Sequence, residues 1–498
     1  MRAGRSRSVA VAAAAAGALL LAISTTASQV SASGSDQQVR EVRERVEGNL
    51  ARFSVPGAAV ALVVDGEVAW TEGFGVADEA TGRPVTPDTI FQAGSISKSV
   101  TAWAVLHLAA EGAIDLDAPV EAQVEGWSLP DSPYDTDGIT PRRLLAHTSG
   151  LPFAIGATPR SPGRFRSGEV DREAFTLVQE PGSGFVYSNP GYALLALLVE
   201  DATGDDFASV LAERVLEPLG MEDSTFALDT SGVARSATGY TADGEPVAPT
   251  WPSPLGASGL HTTAVDLARF VAAAHDGDLP AGRGLLSPDE ARQLHQPRIE
   301  TAGLPHRLMA DAAAYGHFVE RFQDTDLIMN AGEDEGWISG FATVPATGQG
   351  MVVLTNSRKG YPLIIEELKA WSQANQLGRP RLVGVYTGLR TGARVAIALL
   401  MAASAGLVVT LARRLRPWET LASFRRRSSR VRRLAVLGAG ALLLTVWWVL
   451  LREVLGVFLP TTTSWLGLAV TVTGALMILL AISPEPPTAT TTNAERTT

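Results

Sequence analysis

Three apolar stretches near the C-terminus constrain this chain more than any other feature. Val395–Ala412, Leu434–Leu451 and Trp465–Ile482 contain no ionisable residue, and each has about the 18–20 residues that cross a hydrocarbon core as a helix. Buried helices of a soluble core are the alternative, but three in succession point to membrane spans. Between the first two lies a loop, 413–433, with nine arginines and one glutamate. A DNA-binding patch is its rival reading; the flanking spans instead predict a basic cytoplasmic loop. The spans then run in, out and in. The region before them lies outside, and the Thr-rich stretch 483–498 forms a disordered cytoplasmic tail.

The N-terminus points to the same address independently. Arg2, Arg5 and Arg7 precede an apolar run from Val9 to Ile23, and small residues follow up to Ser28 and Ala32. Residues 1–32 therefore read as a secretory signal peptide, with an uncleaved anchor as the other reading. The chain has no cysteine, which excludes disulfides, thiolate metal sites and a cysteine nucleophile. Residues 36–385 hold 25 Lys plus Arg against 48 Asp plus Glu, a formal charge of about −23. Such a surface repels nucleic acid, which is not an expected partner.

Residues 36–378 read as one domain, followed by a linker at 379–394. QQVREVRERVEGNLARF (37–53) has the spacing of an amphipathic helix, and residues 57–78 read as a hairpin turned at Asp65-Gly66. Helical periodicity runs from Ser95 to Glu111, with Val100, Ala104, Leu106 and Leu108 among its apolar positions and Gly112 as a stop. The middle section, 113–312, alternates helical patterns with Pro/Gly-rich loops; 158–170 has no periodicity and reads as an exposed loop. Strand-like runs return at 315–322, 336–345 and 350–357, and 362–376 closes as a helix. Strands from both ends around a helical insertion predict an α+β fold with one sheet built from the two termini.

Lysine is scarce here: three of the 41 Lys plus Arg residues. One of them, Lys98, stands three residues after Ser95 in FQAGSISKSVTAW (91–103). Residues three apart share a helical face, so Lys98 is predicted to lie beside the Ser95 hydroxyl. A buried lysine, unlike an arginine, can lose its proton and serve as a base. Backbone N–H groups at the helix start suit a developing oxyanion. The bland alternative is a capping serine and a solvated lysine.

Five ordered segments carry a resemblance. They are 75–102 around the serine, ITPRRLLAHTSGLP (139–152), FVYSNPGYALLALLVE (185–200), VLEPLGMEDSTF (215–226) and GASGLHTTAVDLARF (256–270). Together, over roughly residues 40–375, they resemble the serine β-lactamase and DD-peptidase superfamily, in the branch of class C β-lactamases, D-aminopeptidases and related esterases. The resemblance implies a five-stranded antiparallel sheet flanked by helices, a helical subdomain, and an active site between them, here followed by three transmembrane helices. Carried over by position, it makes Ser95 the acylated nucleophile and Lys98 its partner. Tyr187 becomes a proton relay, and Asn189 orients the lysine and the substrate.

The third motif of the resembled family, His-x-Gly or Lys-x-Gly, maps onto Asn330-Ala331-Gly332, with a shift to Asp334-Glu335-Gly336 as the alternative. By the same resemblance Asn330 and Gly332 line the substrate, and the backbone of Glu333 joins that of Ser95 in the oxyanion hole. Asn330 carries no positive charge, and Glu333, Asp334 and Glu335 follow it. A substrate carboxylate is therefore expected to bind poorly, which predicts weak β-lactamase and carboxypeptidase activity and favours a neutral or cationic ester or amide.

His147, in AHTSGLP, reads as a structural turn residue and His107 as a satisfied helix residue. His261, His275, His295, His306 and His317 lack metal-ligand spacing. Neither a metal nor an organic cofactor is implied. The predicted function is a membrane-anchored extracytoplasmic serine hydrolase acting through an acyl-enzyme on a small-molecule or peptide ester or amide. Its rival is a non-catalytic receptor or scaffold that keeps the fold. A transporter built on the three spans is disfavoured, because they contain no ionisable residue.

Overall fold

The computed structural model describes residues 37, 39–153, 172–227, 230–247, 255–275, 284–303, 306–322, 325–415, 430–452, 455–456 and 459–483. The stretch 1–32 expected to be a signal peptide, the loop 158–170, most of the basic loop and the stretch beyond Ser483 lie outside them.

The hairpin forms as its turn chemistry demands. Strands β1 (Gly57–Val64) and β2 (Glu67–Asp78) meet at Asp65 and Gly66, both with φ in the left-handed region (51° and 73°), as a two-residue hairpin turn of the primed type requires. The remaining strands of the sheet are β3 (Arg83–Pro84), β4 (Ile299–Glu300), β5 (Ala312–Ala313), β6 (Phe318–Phe322), β7 (Thr325–Asp334), β8 (Trp337–Val344) and β9 (Gln349–Thr355). Their order is β3-β2-β1-β9-β8-β7-β6-β5-β4, antiparallel throughout. The two ends of the domain join where β1 pairs with β9, from Ala58↔Thr355 to Val63↔Gly350.

The five central strands, seven to twelve residues each, match the implied five-stranded core. Four shorter strands extend it at both edges, so the sheet has nine strands rather than five.

Both faces of the sheet are covered. Along β1, Ala59, Ala61 and Val63 enter one apolar cluster, with helices α2 (Ser97–Ala110), α3 (Asn189–Thr203) and α4 (Ala264–Ala272). Ala58 and Val60 enter the other, with α1 (39–53) and α5 (Tyr361–Ala374). This alternation follows from the two-residue period of a strand, and it explains why β1 reads as a continuous apolar run. Helix α2 lies so deep that 97–106 and Leu108 are all buried. That position, more than local sequence, removes Lys98 from water. His107 lies at the helix edge, half-buried, with Nδ1 3.1 Å from the Leu285 carbonyl and Nε2 3.4 Å from Glu111.

Three C-terminal helices are long and apolar enough to cross a membrane. They are α6 (Arg381–Leu415), α7 (Arg430–Thr445, continued by a π-helical turn to Leu451) and α8 (Pro460–Ile482). Helix α8 packs on both of the others, and on α7 the approach is close: a side chain at Gly440 would stand 3.0 Å from the Gly474 carbonyl. Small residues permit such contacts between spans.

Two sequence expectations are corrected here. The stretch 379–394 is not a linker, because helix α6 begins at Arg381 and runs unbroken for 35 residues, roughly 52 Å at 1.5 Å per residue. Its first turn lies beside the sheet domain, where the Arg381 N–H donates to Glu320 on β6. The basic loop is likewise shorter than 413–433, since helix reaches Leu415 and resumes at Arg430.

Candidate active site

The nucleophile's approach is set by glycine. Gly94 has φ +51°, and a side chain there would stand 2.7 Å from the Glu333 nitrogen and 2.9 Å from its carbonyl oxygen. Only glycine allows the loop to pass this close to β7. The turn Gly94–Ile96 is 3-10, and α-helix proper starts at Ser97, two residues later than its periodicity suggests. Ser97 Oγ donates to the Gly94 carbonyl (2.6 Å) and accepts from Leu260 N–H (2.9 Å), which ties the turn down.

Ser95, Lys98 and Tyr187 come together as their positions imply. Lys98 Nζ donates to Ser95 Oγ at 3.1 Å and to the Ala257 carbonyl at 2.9 Å. The Tyr187 hydroxyl donates to Ser95 Oγ at 2.9 Å. Lys98 is 1% exposed, and burial holds its ammonium well below the usual lysine range. Burial also pushes the Tyr187 phenol up to about 12, against the opposing pull of its bond to Ser95. The two shifts divide the protons: the amine gives up its charge readily, and the phenol stays protonated. Asn189 opens α3 two residues beyond Tyr187, half-buried.

Tyr187 is held between two imidazoles. The His147 ring lies 4.4 Å away on centroids, and the His306 ring stacks at 4.7 Å with 21° between planes. His147 takes a left-handed φ of 58° and accepts the Ser188 N–H on Nδ1 (3.1 Å). Burial, then the nearby Lys98 charge, keep it well below the ordinary histidine range. It is the structural turn residue the sequence suggests. His306 is new at the site. It sits in a segment without periodicity, and nothing in its sequence neighbours marks it.

The third motif takes the Asn330-Ala331-Gly332 register, since Asp334 ends β7 and 335–336 make the turn into β8. Its side chains do other work than the resemblance implies. Asn330 is 5% exposed, and its amide donates inward to Ser95 O (3.2 Å), Ser99 Oγ (3.0 Å) and Gly316 O (2.9 Å). With its hydrogens committed to the protein, Asn330 clamps β7 to the nucleophile helix and has no donor left for a substrate. Gly332 is needed for packing, because a side chain there would stand 1.8 Å from the Ala93 carbonyl.

The acidic run is exposed at Glu333 and Glu335 and half-buried at Asp334, and its first member is paired. Glu333 pairs with Arg358 (2.6 Å) and accepts from the Tyr361 hydroxyl (2.9 Å). Burial raises the Asp334 carboxyl, and that side chain caps the Glu335 N–H at 2.8 Å. The expected attraction for a cationic substrate therefore loses its main source. Arg358 and Tyr361 were not singled out by the sequence, since both follow a strand with no motif around them.

A surface cavity of about 1030 Å³ lies elsewhere, lined by His295, Arg292, Arg321 and Thr325 among others. It holds none of the serine, lysine and tyrosine groups, so chemistry rather than size locates the site.

The family model described as "Beta-lactamase" matches residues 42–376. Penicillin-binding protein 4 of Amycolatopsis lactamdurans is 32% identical over 332 residues, covering 63% of this chain and 84% of that protein. Protein flp of Staphylococcus aureus is 27% identical over 349 residues, covering 67% of this chain; the match spans 66% of the relative's own length. Among solved structures, the octameric penicillin-binding protein homologue from Pyrococcus abyssi superposes with a TM-score of 0.60 at 26% identity, covering 68% of this chain and 78% of that one. A class C β-lactamase, at 22% identity and a TM-score of 0.53 over 64% of this chain and 91% of that one, shares the fold. Sequence, sheet topology and serine cluster converge: this chain belongs to the beta-lactamase family of serine hydrolases.

Proposed function

We propose that this protein is a membrane-anchored serine hydrolase that works through an acyl-enzyme on a neutral ester or amide, with its catalytic domain outside the cytoplasm. The observation that carries the reading is the pair of hydrogen bonds on Ser95 Oγ, from a buried amine and a half-buried phenol. In this reading neutral Lys98 draws the proton from Ser95 as the oxygen attacks the carbonyl carbon. The N–H groups of Ser95, in the turn before α2, and of Glu333, on β7, hold the oxyanion as preorganised donors. Tyr187 passes a proton to the leaving group, which departs as the acyl-serine forms. Asn189 orients Lys98 and the substrate carbonyl. Water then attacks the ester, and Ser95 recovers its hydrogen.

Substrate charge follows from the third motif. Asn330 supplies no cation, and the Arg358 guanidinium is spent on Glu333, so a substrate carboxylate has no free partner among these groups. That supports weak turnover of β-lactams and of D-Ala-D-Ala termini. The buried lysine supports the enzyme over a non-catalytic scaffold, because burial of an amine is costly and a scaffold gains nothing from it. The arginine-rich loop after the first span supports a cytoplasmic loop and an outward-facing domain.

Turnover by the full chain in detergent tests this. A burst of aryl alcohol from neutral aryl esters and slow nitrocefin hydrolysis are the expected results. Nitrocefin hydrolysis at rates typical of resistance enzymes, or inertness to every ester, would overturn the reading.

A further inference from the structure

The root of the first membrane-spanning helix reaches the catalytic tyrosine through two contacts. Arg381, the first residue of α6, donates from its guanidinium to the Arg307 carbonyl (3.2 Å) and to the Asp311 carboxylate. The first lies within the one-turn helix His306–Met309 and the second two residues beyond it. The backbone N–H of Arg381 also donates to both oxygens of Glu320 on β6 (2.7 and 3.0 Å). Helix α6 therefore grips the segment that presents His306, and His306 covers one face of Tyr187 while touching Phe185 (5.3 Å) and Phe318 (5.6 Å).

His147, the other imidazole against Tyr187, is secured separately. His147 is fixed by its own turn and by the Ser188 N–H. His306 comes from another part of the chain, so its placement depends on what holds 306–311. Arg390 makes a second ion pair at the root, with Glu366 on α5 (2.7 Å), and that pair does not touch the 306–311 segment.

We propose that His306 is a positioning residue for Tyr187, set in place by Arg381, so that catalytic geometry depends on the seating of the membrane helix. This rests on the hydrolase reading above and adds a role for the anchor. The His306 ring restricts the tilt of the phenol, and a phenol that tilts away from Ser95 Oγ slows proton transfer without changing how substrate docks.

The experiment uses the full chain in lipid nanodiscs, with His306→Ala, His306→Phe, Arg381→Gln and Arg390→Gln. One readout is saturation labelling of Ser95 by a fluorophosphonate. The second, independent of chemistry, is hydrogen exchange in the peptide 184–192. The proposal expects the maximal labelling rate to fall roughly tenfold in His306→Ala and Arg381→Gln, as the loss of one aromatic contact allows. The half-saturating probe concentration stays the same, and exchange in 184–192 rises. His306→Phe restores the rate by keeping the stack, Arg390→Gln matches wild type, and the double variant His306→Ala/Arg381→Gln is no slower than His306→Ala alone.

Wild-type rates in both single variants, or equal slowing by Arg390→Gln, would overturn the proposal. A wild-type chain that never labels, yet shows the exchange pattern, would sink the hydrolase reading and leave the brace standing.

Discussion

Tyr187 donates a 2.9 Å hydrogen bond to Ser95 Oγ, and the same oxygen accepts from Lys98 at 3.1 Å. One hydroxyl thus has two proton-handling neighbours, one three residues along the chain and the other 92. Replacing Tyr187 with Phe keeps the ring packed between His147 and His306 and removes only the phenol. Acylation should slow by on the order of 10²–10⁴-fold, with the thermal midpoint little changed. Stopped-flow ester kinetics and calorimetry on one preparation check both halves.

Lys98 sets up a conflict between function and stability. Its folded pKa is depressed by burial, so between that value and the unfolded lysine value the unfolded chain binds more protons, and stability rises with pH across the window. Lys98→Met removes the buried amine. It should abolish acylation yet melt higher than wild type at neutral pH, with the difference shrinking as pH climbs toward about 10. Melting curves of the two proteins across pH test the sign. Wild-type acylation should rise as pH passes upward through the depressed folded value and level off above it, since only the neutral amine accepts a proton.

Asn330 makes a separate prediction, because its amide faces the protein interior. Asn330→Ala takes the donor from Ser99 Oγ and one of two donors from the Gly316 carbonyl, which keeps its bond from Ser99. It should cost about 1–3 kcal/mol of stability, while KM for a neutral ester stays near wild type. Asn330→Lys, which mimics the usual family residue, should destabilise rather than create a carboxylate site. Urea unfolding together with ester and nitrocefin kinetics distinguishes these outcomes.

Arg358 balances Glu333 at a half-exposed position. Arg358→Met leaves the carboxylate uncompensated beside the cleft. KM should rise for an anionic ester and fall for a cationic one, by no more than about fivefold given solvent screening. A matched series of charged aryl esters reads this directly.

What the sequence made legible was local or periodic. The hairpin followed from Asp65-Gly66, β1 and β9 from their apolar runs, and α2 from its 3.6-residue spacing. Proximity of Ser95 and Lys98 followed from helix geometry. Other features depended on tertiary context. Strand β7 alternates poorly, because Asn330 and Gly332 face the nucleophile turn rather than water, so only the family resemblance indicated it. Asn330 was legible as a departure in charge, but its inward direction required knowing that Ser99 and the Gly316 carbonyl converge there. His306, Arg358 and Arg381 reach their partners across long sequence separations and carry no local signature. The stretch 379–394 looked like a linker because its Gly and Arg residues dilute the apolar signal, yet Arg381 and Arg390 fasten it to the domain as a helix.

The central claim is that Ser95 is a nucleophile activated by a buried amine. Peptide mass spectrometry of the full chain after fluorophosphonate treatment tests it most directly. The account predicts a single phosphonyl adduct on Ser95, absent in Ser95→Ala and lost in Lys98→Met although that variant stays folded. An unmodified Ser95 in wild type, or equal modification with methionine at position 98, would contradict it.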